Sequence, residues 1–238
     1  MQQNISPKVI SKVIASKVIA IDGPSASGKS SITKSVAHDL NLNHIDSGAL
    51  YRYLTLKVLE KGEDFSFCVQ QLQDIWKDNL KIEFRPSFSL FYHGIDQSTR
   101  IREHSLSAKT SQLSQNGVVR DSVNHVMREL VQNSTEFCIL EGRDIGTVVF
   151  PDAAMKFFIT ASPEVRARRR YLELKSLNKL GDLTQAQILQ DVLRRDEADA
   201  TRSIAPLICP KDAIVVDTSD LSFDQVLKFI VEKIKAKI

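Results

Sequence analysis

Residues 23–30 read Gly-Pro-Ser-Ala-Ser-Gly-Lys-Ser. The spacing, Gly23 followed by four residues and then Gly28-Lys29-Ser30, is that of a loop that wraps a phosphate. Glycines let the backbone fold tightly enough for several N–H groups to converge on one anion. The N-terminus of a following helix adds partial positive charge at the same point. In such a loop Gly23, Pro24, Ser25, Ala26, Ser27, Gly28, Lys29, Ser30 and Ser31 would line the phosphates of a nucleotide. Lys29 would reach the outer phosphates, and the Ser30 hydroxyl would ligate Mg²⁺. A Gly/Ser-rich turn can match this spacing by chance, but it would give Lys29 no purpose.

Four further groups carry polar chemistry. They are Asp46-Ser47-Gly48-Ala49-Leu50-Tyr51-Arg52, Glu141-Gly142-Arg143-Asp144-Ile145-Gly146-Thr147, the run Arg166-Ala167-Arg168-Arg169-Arg170, and Arg195-Asp196-Glu197-Ala198-Asp199-Ala200-Thr201-Arg202. Each has a bland reading: a surface arginine, a tight turn with a local ion pair, a solvated helix face, or intrahelical pairing. Beside a phosphate loop the balance shifts. Moving a phosphoryl group between two anions requires distributed guanidinium forks to neutralise them. Arg166 and Arg170 stand four apart and share one helix face.

These residues need elements to hold them. Lys17 to Asp22 is a short β-branched run suited to a buried strand. Ser30 to Leu40 carries Ile32, Val36, Ala37 and Leu40 on one helical face. Strand, loop and helix is the context that makes the phosphate motif credible. Asn43–Asp46 is a strand, and a helix runs from about Ala49 to Glu60, closed by Lys61-Gly62. Cys68 to Trp76 reads as a short helix. Lys81–Phe84 and Ser89–Tyr92 read as strands, with Arg85-Pro86 between them and Gly94 after. One long helix is expected over about 107–132. Phe137–Leu140 and Met155–Ile159 are buried strands. Pro163 opens a helix that runs to about Leu180, before Gly181. Leu183 to Ala198, the strand Ala213–Asp217 and the helix Ser222–Ile238 complete the chain. The class is α/β: a parallel five-stranded sheet with helices on both faces and a β-rich insertion. Ligands in such sheets sit beyond the carboxyl ends of the strands.

Composition bounds the rest. The chain has 238 residues and a net charge of +3, enough for one sizeable core with insertions and too little charge to argue for nucleic acid or membrane partners. Cys68, Cys138 and Cys209 show no metal or CxxC spacing, and they read as buried apolar residues of a reducing compartment. The five histidines form no ligand pattern. No apolar run approaches the length of a membrane span. Lys-Val-Ile recurs at 8–10, 12–14 and 17–19; the third copy is the first strand, and the earlier two belong to an extension.

The segments Ile21-Asp22-Gly23-Pro24-Ser25 through Ser30, Asp46–Arg52, Gly142-Arg143-Asp144-Ile145-Gly146-Thr147-Val148-Val149-Phe150-Pro151, and Arg195–Arg202 followed by Ala205-Pro206-Leu207 together resemble bacterial cytidylate kinases, of the nucleoside monophosphate kinase group of P-loop proteins. The resemblance runs from about residue 17 to the C-terminus. It implies transfer of the γ-phosphoryl of ATP to CMP or dCMP with Mg²⁺, in a cytoplasmic monomer whose partners are these nucleotides. It implies a core (17–62, 135–165 and 203–238), a monophosphate-binding domain with the β-rich insertion (63–134) and a helical lid (166–202), preceded by an extension at 1–16. By resemblance Ser111, Arg120 and Asp144 would read the cytosine edge. Arg52, Arg143 and Arg202 would hold the CMP phosphate, with Ser47 nearby. Arg195 and Asp199 would meet the ribose and phosphate, and Arg166 and Arg170 would meet ATP. Charge neutralisation would fall to Lys29, Arg143, Arg195 and Arg202. Other small-molecule kinases of this fold, acting on UMP, AMP or shikimate, stay open as alternatives. So does a nucleotide switch or a nucleic-acid-binding protein, although the Asn-Lys-x-Asp run of a guanine-reading switch is absent.

Overall fold

A computed structural model describes residues 15–62, 69–77, 79–84 and 87–238. The first two Lys-Val-Ile copies, Cys68 and the Arg85-Pro86 turn lie outside the described residues.

Strand β1 (Val18–Asp22) is apolar on both faces until its last residue. Val18 and Ala20 face one side and Ile19 and Ile21 the other, as the alternation of a strand requires. A strand with both faces apolar is stable only between two layers. It lies in the middle of a parallel sheet of order β2-β6-β1-β7-β8, with β2 Asn43–Asp46, β6 Cys138–Gly142, β7 Met155–Thr160 and β8 Ile214–Asp217. Ile19 pairs with Ile139 on one side and Met155 on the other. Helices α1 (Lys29–Asp39) and α8 (Phe223–Lys235) cover the face holding Ile19, Ile21, Ile139 and Phe157. Helix α2 (Ser47–Glu60) and helix α5 (Gly117–Gln132) cover the face holding Val18, Ala20, Ile45 and Leu140. Each fully buried Ile or Leu contributes about 1.5–3 kcal/mol to this sandwich.

The insertion contains helix α3 (Val69–Lys77) and a small antiparallel sheet of β3 (Leu80–Glu83), β4 (Ser89–Tyr92) and a short strand not expected from sequence, β5 (Ile95–Asp96). His93 and Gly94 both take positive φ, 49° and 77°, the conformation that a two-residue hairpin turn demands.

The single helix expected over 107–132 is two: α4 (His104–Leu113) and α5. Asn116 causes the break. It is extended, and its side chain accepts from the N–H groups of Val118 and Val119, so it starts a new helix instead of continuing the old one. Helix α6 (Pro163–Ser176) stops short of the expected Leu180. Asn178 takes a left-handed φ of 54°. The N–H groups of Asn178 and Lys179 close back on Lys175 and Leu174, the αL termination usually made by glycine. Helix α7 (Gln185–Thr201) follows and packs on α6 through Ala167, Leu174, Ile188 and Val192. Cys138 is buried as expected, but Cys209 is exposed, because it lies in the irregular segment before β8 and not in an element. No helix among the described residues is long and apolar enough to cross a membrane.

Candidate active site

The loop 23–28 runs from the carboxyl end of β1 to the start of α1. Its shape rests on residues that accept positive φ: Gly23 at 147° and Gly28 at 89°. A Cβ on Gly23 would stand 2.0 Å from the Ile159 carbonyl oxygen of β7, so only glycine fits there. Ala26 also sits at φ 58°, a conformation that costs an L-residue about 1–2 kcal/mol. Lys29 folds back over the loop, donating to the Pro24 carbonyl at 2.6 Å and to Ser27 Oγ at 3.3 Å. Burial and then the charge of Arg143 push its pKa well below the usual lysine range, against the pull of Glu141, Asp22 and Asp199.

Ser30 donates to Glu141 Oε2 at 2.5 Å, and Glu141 Oε1 lies 3.0 Å from His44 Nε2. A hydroxyl oxygen beside a buried carboxylate is the hard donor set that suits Mg²⁺. That ion takes few protein ligands and fills its shell with water and phosphate oxygens. Among the described residues no group of three or more acidic, His or Cys side chains forms a metal cage.

Across the edge of the sheet, other residues meet. Asp144 follows β6, and its Oδ2 accepts from Arg120 Nη2 of α5; Arg202 Nη2 lies 3.6 Å from its Oδ1. Arg120 is further held by the Ser114 carbonyl at 3.1 Å, and its guanidinium lies 5.7 Å from the Tyr51 ring centroid. Arg143 donates to Asp199 at 3.0 Å, and Asp199 lies 3.8 Å from Arg202. Arg52 donates to Asp46 at 3.3 Å. Asp46 also caps α2 through the Ala49 N–H at 2.9 Å. Burial pushes the Asp46 carboxyl up, but Arg52, His44 and that N–H outweigh it and hold its pKa below the ordinary value. Ser47 donates to the Glu141 carbonyl at 2.7 Å. Arg195 keeps an exposed surface, yet its head is crowded; desolvation and then Arg143 lower its pKa.

The Tyr51 hydroxyl, Arg52 Nε and Arg202 Nη2 are buried without a hydrogen-bond partner among the described residues. Buried polar atoms are nearly always paired, and these three keep the capacity for a further hydrogen bond.

A sequence-family model described as Cytidylate kinase matches residues 19–236. The chain belongs to the cytidylate kinase family. A cytidylate kinase of Fusobacterium nucleatum subsp. nucleatum is 40% identical over 219 residues, covering 92% of this chain and 97% of that protein. One of Thermodesulfovibrio yellowstonii is 40% identical over 222 residues, covering 92% and 97%. A crystal structure of an uncharacterized protein from Eubacterium ventriosum superposes with a TM-score of 0.50 at 11% identity, over 92% of this chain and 98% of that one; it speaks for the fold alone.

Of the residues that the cytidylate kinase resemblance singles out, Arg120, Arg143, Asp144, Asp199 and Arg202 form one connected network. Arg52 and Ser47 flank it. Ser111 is one link removed: its carbonyl accepts from Ser114 Oγ, and Ser114 holds Arg120. Arg166 is buried under the phosphate loop, donating to the Ser25 carbonyl at 3.1 Å and forming a fork with Asp196 of α7. Its partners are protein groups of the loop and of α7 and, at 2.9 Å, the Ala161 carbonyl after β7, so it braces the loop. Arg170 is bonded to Glu173 on its own helix. The sequence motifs include Asp22, Tyr51 and Glu141 but assign them no role, and His44 stands there only as one of five unpatterned histidines. Two of them had a signal, since Asp22 and Glu141 are charged residues near the carboxyl ends of otherwise apolar strands.

Proposed function

We propose that this chain transfers the γ-phosphoryl group of ATP to CMP or dCMP, giving ADP and CDP or dCDP. The observation that carries this reading is the buried pair of Asp144 and Arg120 at the same sheet edge as the phosphate loop. Cytosine presents an amino donor beside a carbonyl acceptor. A carboxylate can accept from the amino group, and a guanidinium can donate to the carbonyl or ring nitrogen. Uracil would turn a carbonyl toward the carboxylate.

The acceptor oxygen of a nucleoside monophosphate is already ionised, so no general base is required. Catalysis is then positioning and charge neutralisation. Residues 23–31 cradle the ATP phosphates, and Lys29 leaves the Pro24 carbonyl to meet the outer ones. Arg52, Arg143 and Arg202 hold the acceptor phosphate. Their present carboxylate partners, Asp46, Asp199 and Asp144, keep the forks extended where a phosphate can replace or join them. Arg195 and Asp199 meet the ribose, and Ser47 and Ser111 steady the two ends of the acceptor. Ser30, with Glu141 beside it, would hold Mg²⁺, which when bound neutralises charge on the phosphate oxygens. Residues 166–202, which hold most of α6 and all of α7, form a lid that excludes water and so limits wasteful hydrolysis; Arg166 and Arg170 link it to the donor side.

The test is ADP release with CMP, dCMP, UMP and AMP, for the wild type and for Asp144→Ala. CMP and dCMP should be used far faster than UMP or AMP. The substitution should lower kcat/KM for CMP by about 10³-fold, since it leaves Arg120 buried and unpaired, while the KM for ATP stays near its wild-type value. Equal rates across the panel, or unchanged CMP kinetics in the variant, would remove the cytosine assignment.

A further inference from the structure

Asp22 has no place in the roles assigned above, yet it is the most conspicuous polar group in the β1 strand. It ends that strand one residue before Gly23 and is 1% exposed. Its Oδ1 accepts from the Ile145 N–H at 2.9 Å, and its Oδ2 accepts from the Gly146 N–H at 2.7 Å. Those two amides open the wide helical turn Ile145–Val149 that follows Asp144 directly. The same turn closes on the Asp144 carbonyl, which accepts from the N–H groups of Val148 and Val149 at 2.9 and 3.1 Å. Space beside residue 146 is tight. A Cβ there would stand 3.1 Å from Lys156 Cδ and 3.3 Å from Asp22 Oδ2.

Two N–H groups arriving at two different oxygens call for an ionised carboxylate. An amide offers one acceptor and turns an NH₂ toward the other donor, and a protonated acid turns a hydroxyl toward it. Burying a carboxylate is expensive, so its presence at this point needs a reason beyond filling space. β1 is bonded on both sides, to β6 and β7, and cannot move easily. The turn after β6 is the adjustable partner.

We propose that Asp22 is a positioning residue that anchors the turn carrying Asp144 to the strand carrying the phosphate loop, and so sets Asp144 against Arg120 for reading the nucleobase. This rests on the cytosine-reading role of Asp144. The donor and acceptor halves of the site are thereby joined through one side chain.

The anchor has a pH signature. Burial raises the Asp22 pKa to about 6, with the Asp144 charge adding to the rise and the two N–H groups and Lys29 opposing it. Charged and titratable neighbours come from each surrounding element. They are Lys29 from α1, Asp144 after β6, Lys156 from β7, whose ammonium is engaged by the Pro151 carbonyl and Asp212, and Cys209, whose thiol feels the Asp22 charge. As pH falls through about 6, Asp22 gains a proton and one N–H loses its acceptor. The KM for CMP should then rise. Stability moves the other way: a carboxyl whose folded pKa lies above its ordinary value of 3.8 contributes stability that is present below that value and lost as pH rises through about 6. Acid should therefore ease the cost of Asp22 to the fold while loosening the acceptor site.

The experiment is Asp22→Asn, with Gly146→Ala as a second route to the same contact. Both variants should raise the KM for CMP by about tenfold and narrow CMP over UMP discrimination by a similar factor. ATP affinity, measured by isothermal titration, should change less than twofold. The wild-type rise in KM below pH 6 should flatten in Asp22→Asn. If that variant does not fold, Gly146→Ala carries the test. A folded Asp22→Asn with wild-type KM for CMP and a wild-type pH profile would overturn the anchor, as would a Gly146→Ala variant with unchanged CMP kinetics. The two readings fail separately. If Asp144→Ala harms CMP use while neither of these variants does, the anchor alone is wrong; if Asp144→Ala is silent, the base-reading role falls first.

Discussion

The phosphate loop and the pocket proposed to read the base share one edge of the sheet and are built by opposite means. The loop is contiguous and made chiefly of backbone: its shape is set by the φ angles of Gly23, Ala26 and Gly28, and Lys29 bonds back onto it. The pocket is made of side chains drawn from far apart, with Tyr51 on α2, Arg120 on α5, Asp144 after β6 and Arg202 at the end of α7. A backbone cradle offers identical N–H groups to any nucleoside triphosphate, so it confers charge recognition without choice of base. A pocket of paired carboxylates and guanidinium groups presents donors and acceptors in a fixed order, which is what discrimination requires. The two constructions should therefore fail differently.

The largest effect should come from the loop. Gly23→Ala places a Cβ 2.0 Å from the Ile159 carbonyl oxygen at a φ of 147°. The adjoining strand has to move, at a cost on the order of 3 kcal/mol or more. Thermal unfolding and ATP titration should show a markedly less stable protein with little ATP affinity. Wild-type behaviour in both would mean that the loop tolerates rearrangement, and the contrast with the pocket would fade.

A graded effect should come from the pocket. Arg202→Ala removes one fork but leaves Arg120 on Asp144. We expect kcat/KM for CMP to fall about 10²-fold, the usual cost of losing one charge-stabilising donor, with ATP affinity and melting temperature close to wild type. Steady-state kinetics with each nucleotide varied in turn separates the two. A loss of ATP affinity as large as the loss for CMP would show that the halves are not independently built.

The smallest effect sharpens the comparison from the other side. Ala26 holds a left-handed conformation inside the loop. Ala26→Gly should relieve about 1–2 kcal/mol of strain and give back part of it through the greater freedom of the unfolded chain. A net gain of about 0.5 kcal/mol, or roughly 1–2 °C in Tm for a chain of this size, is expected by calorimetry. A loss of stability would show that the alanine methyl makes a contact worth more than the strain.

The same contrast explains what could be read from sequence. The loop was legible because eight neighbouring residues and their flanking periodicities carry it. Strands β1, β6 and β7 were legible for a similar reason, being short apolar runs between turn residues. The ion pair of Arg166 with Asp196 was not, because it spans α6 and α7 and exists only once Ala167 and Leu174 pack on Ile188 and Val192. Asp196 read equally well as a partner within its own helix. The break at Asn116 was available in Ser114-Gln115-Asn116-Gly117, but the apolar residues on either side continued the helical period and masked it. His44 looked like an unremarkable histidine; its tie to Glu141 joins two strands separated by more than ninety positions.

The strand order carries one more consequence, for how the chain is made. β1 sits in the middle of the sheet, and both of its neighbours, β6 and β7, lie in the later half of the sequence. During translation, Val18–Asp22 leaves the ribosome on the order of ten seconds before Cys138 and Met155 do. For that interval its amides and its apolar side chains have no permanent home. The strand that leads into the phosphate loop is thus among the first to emerge and among the last to settle.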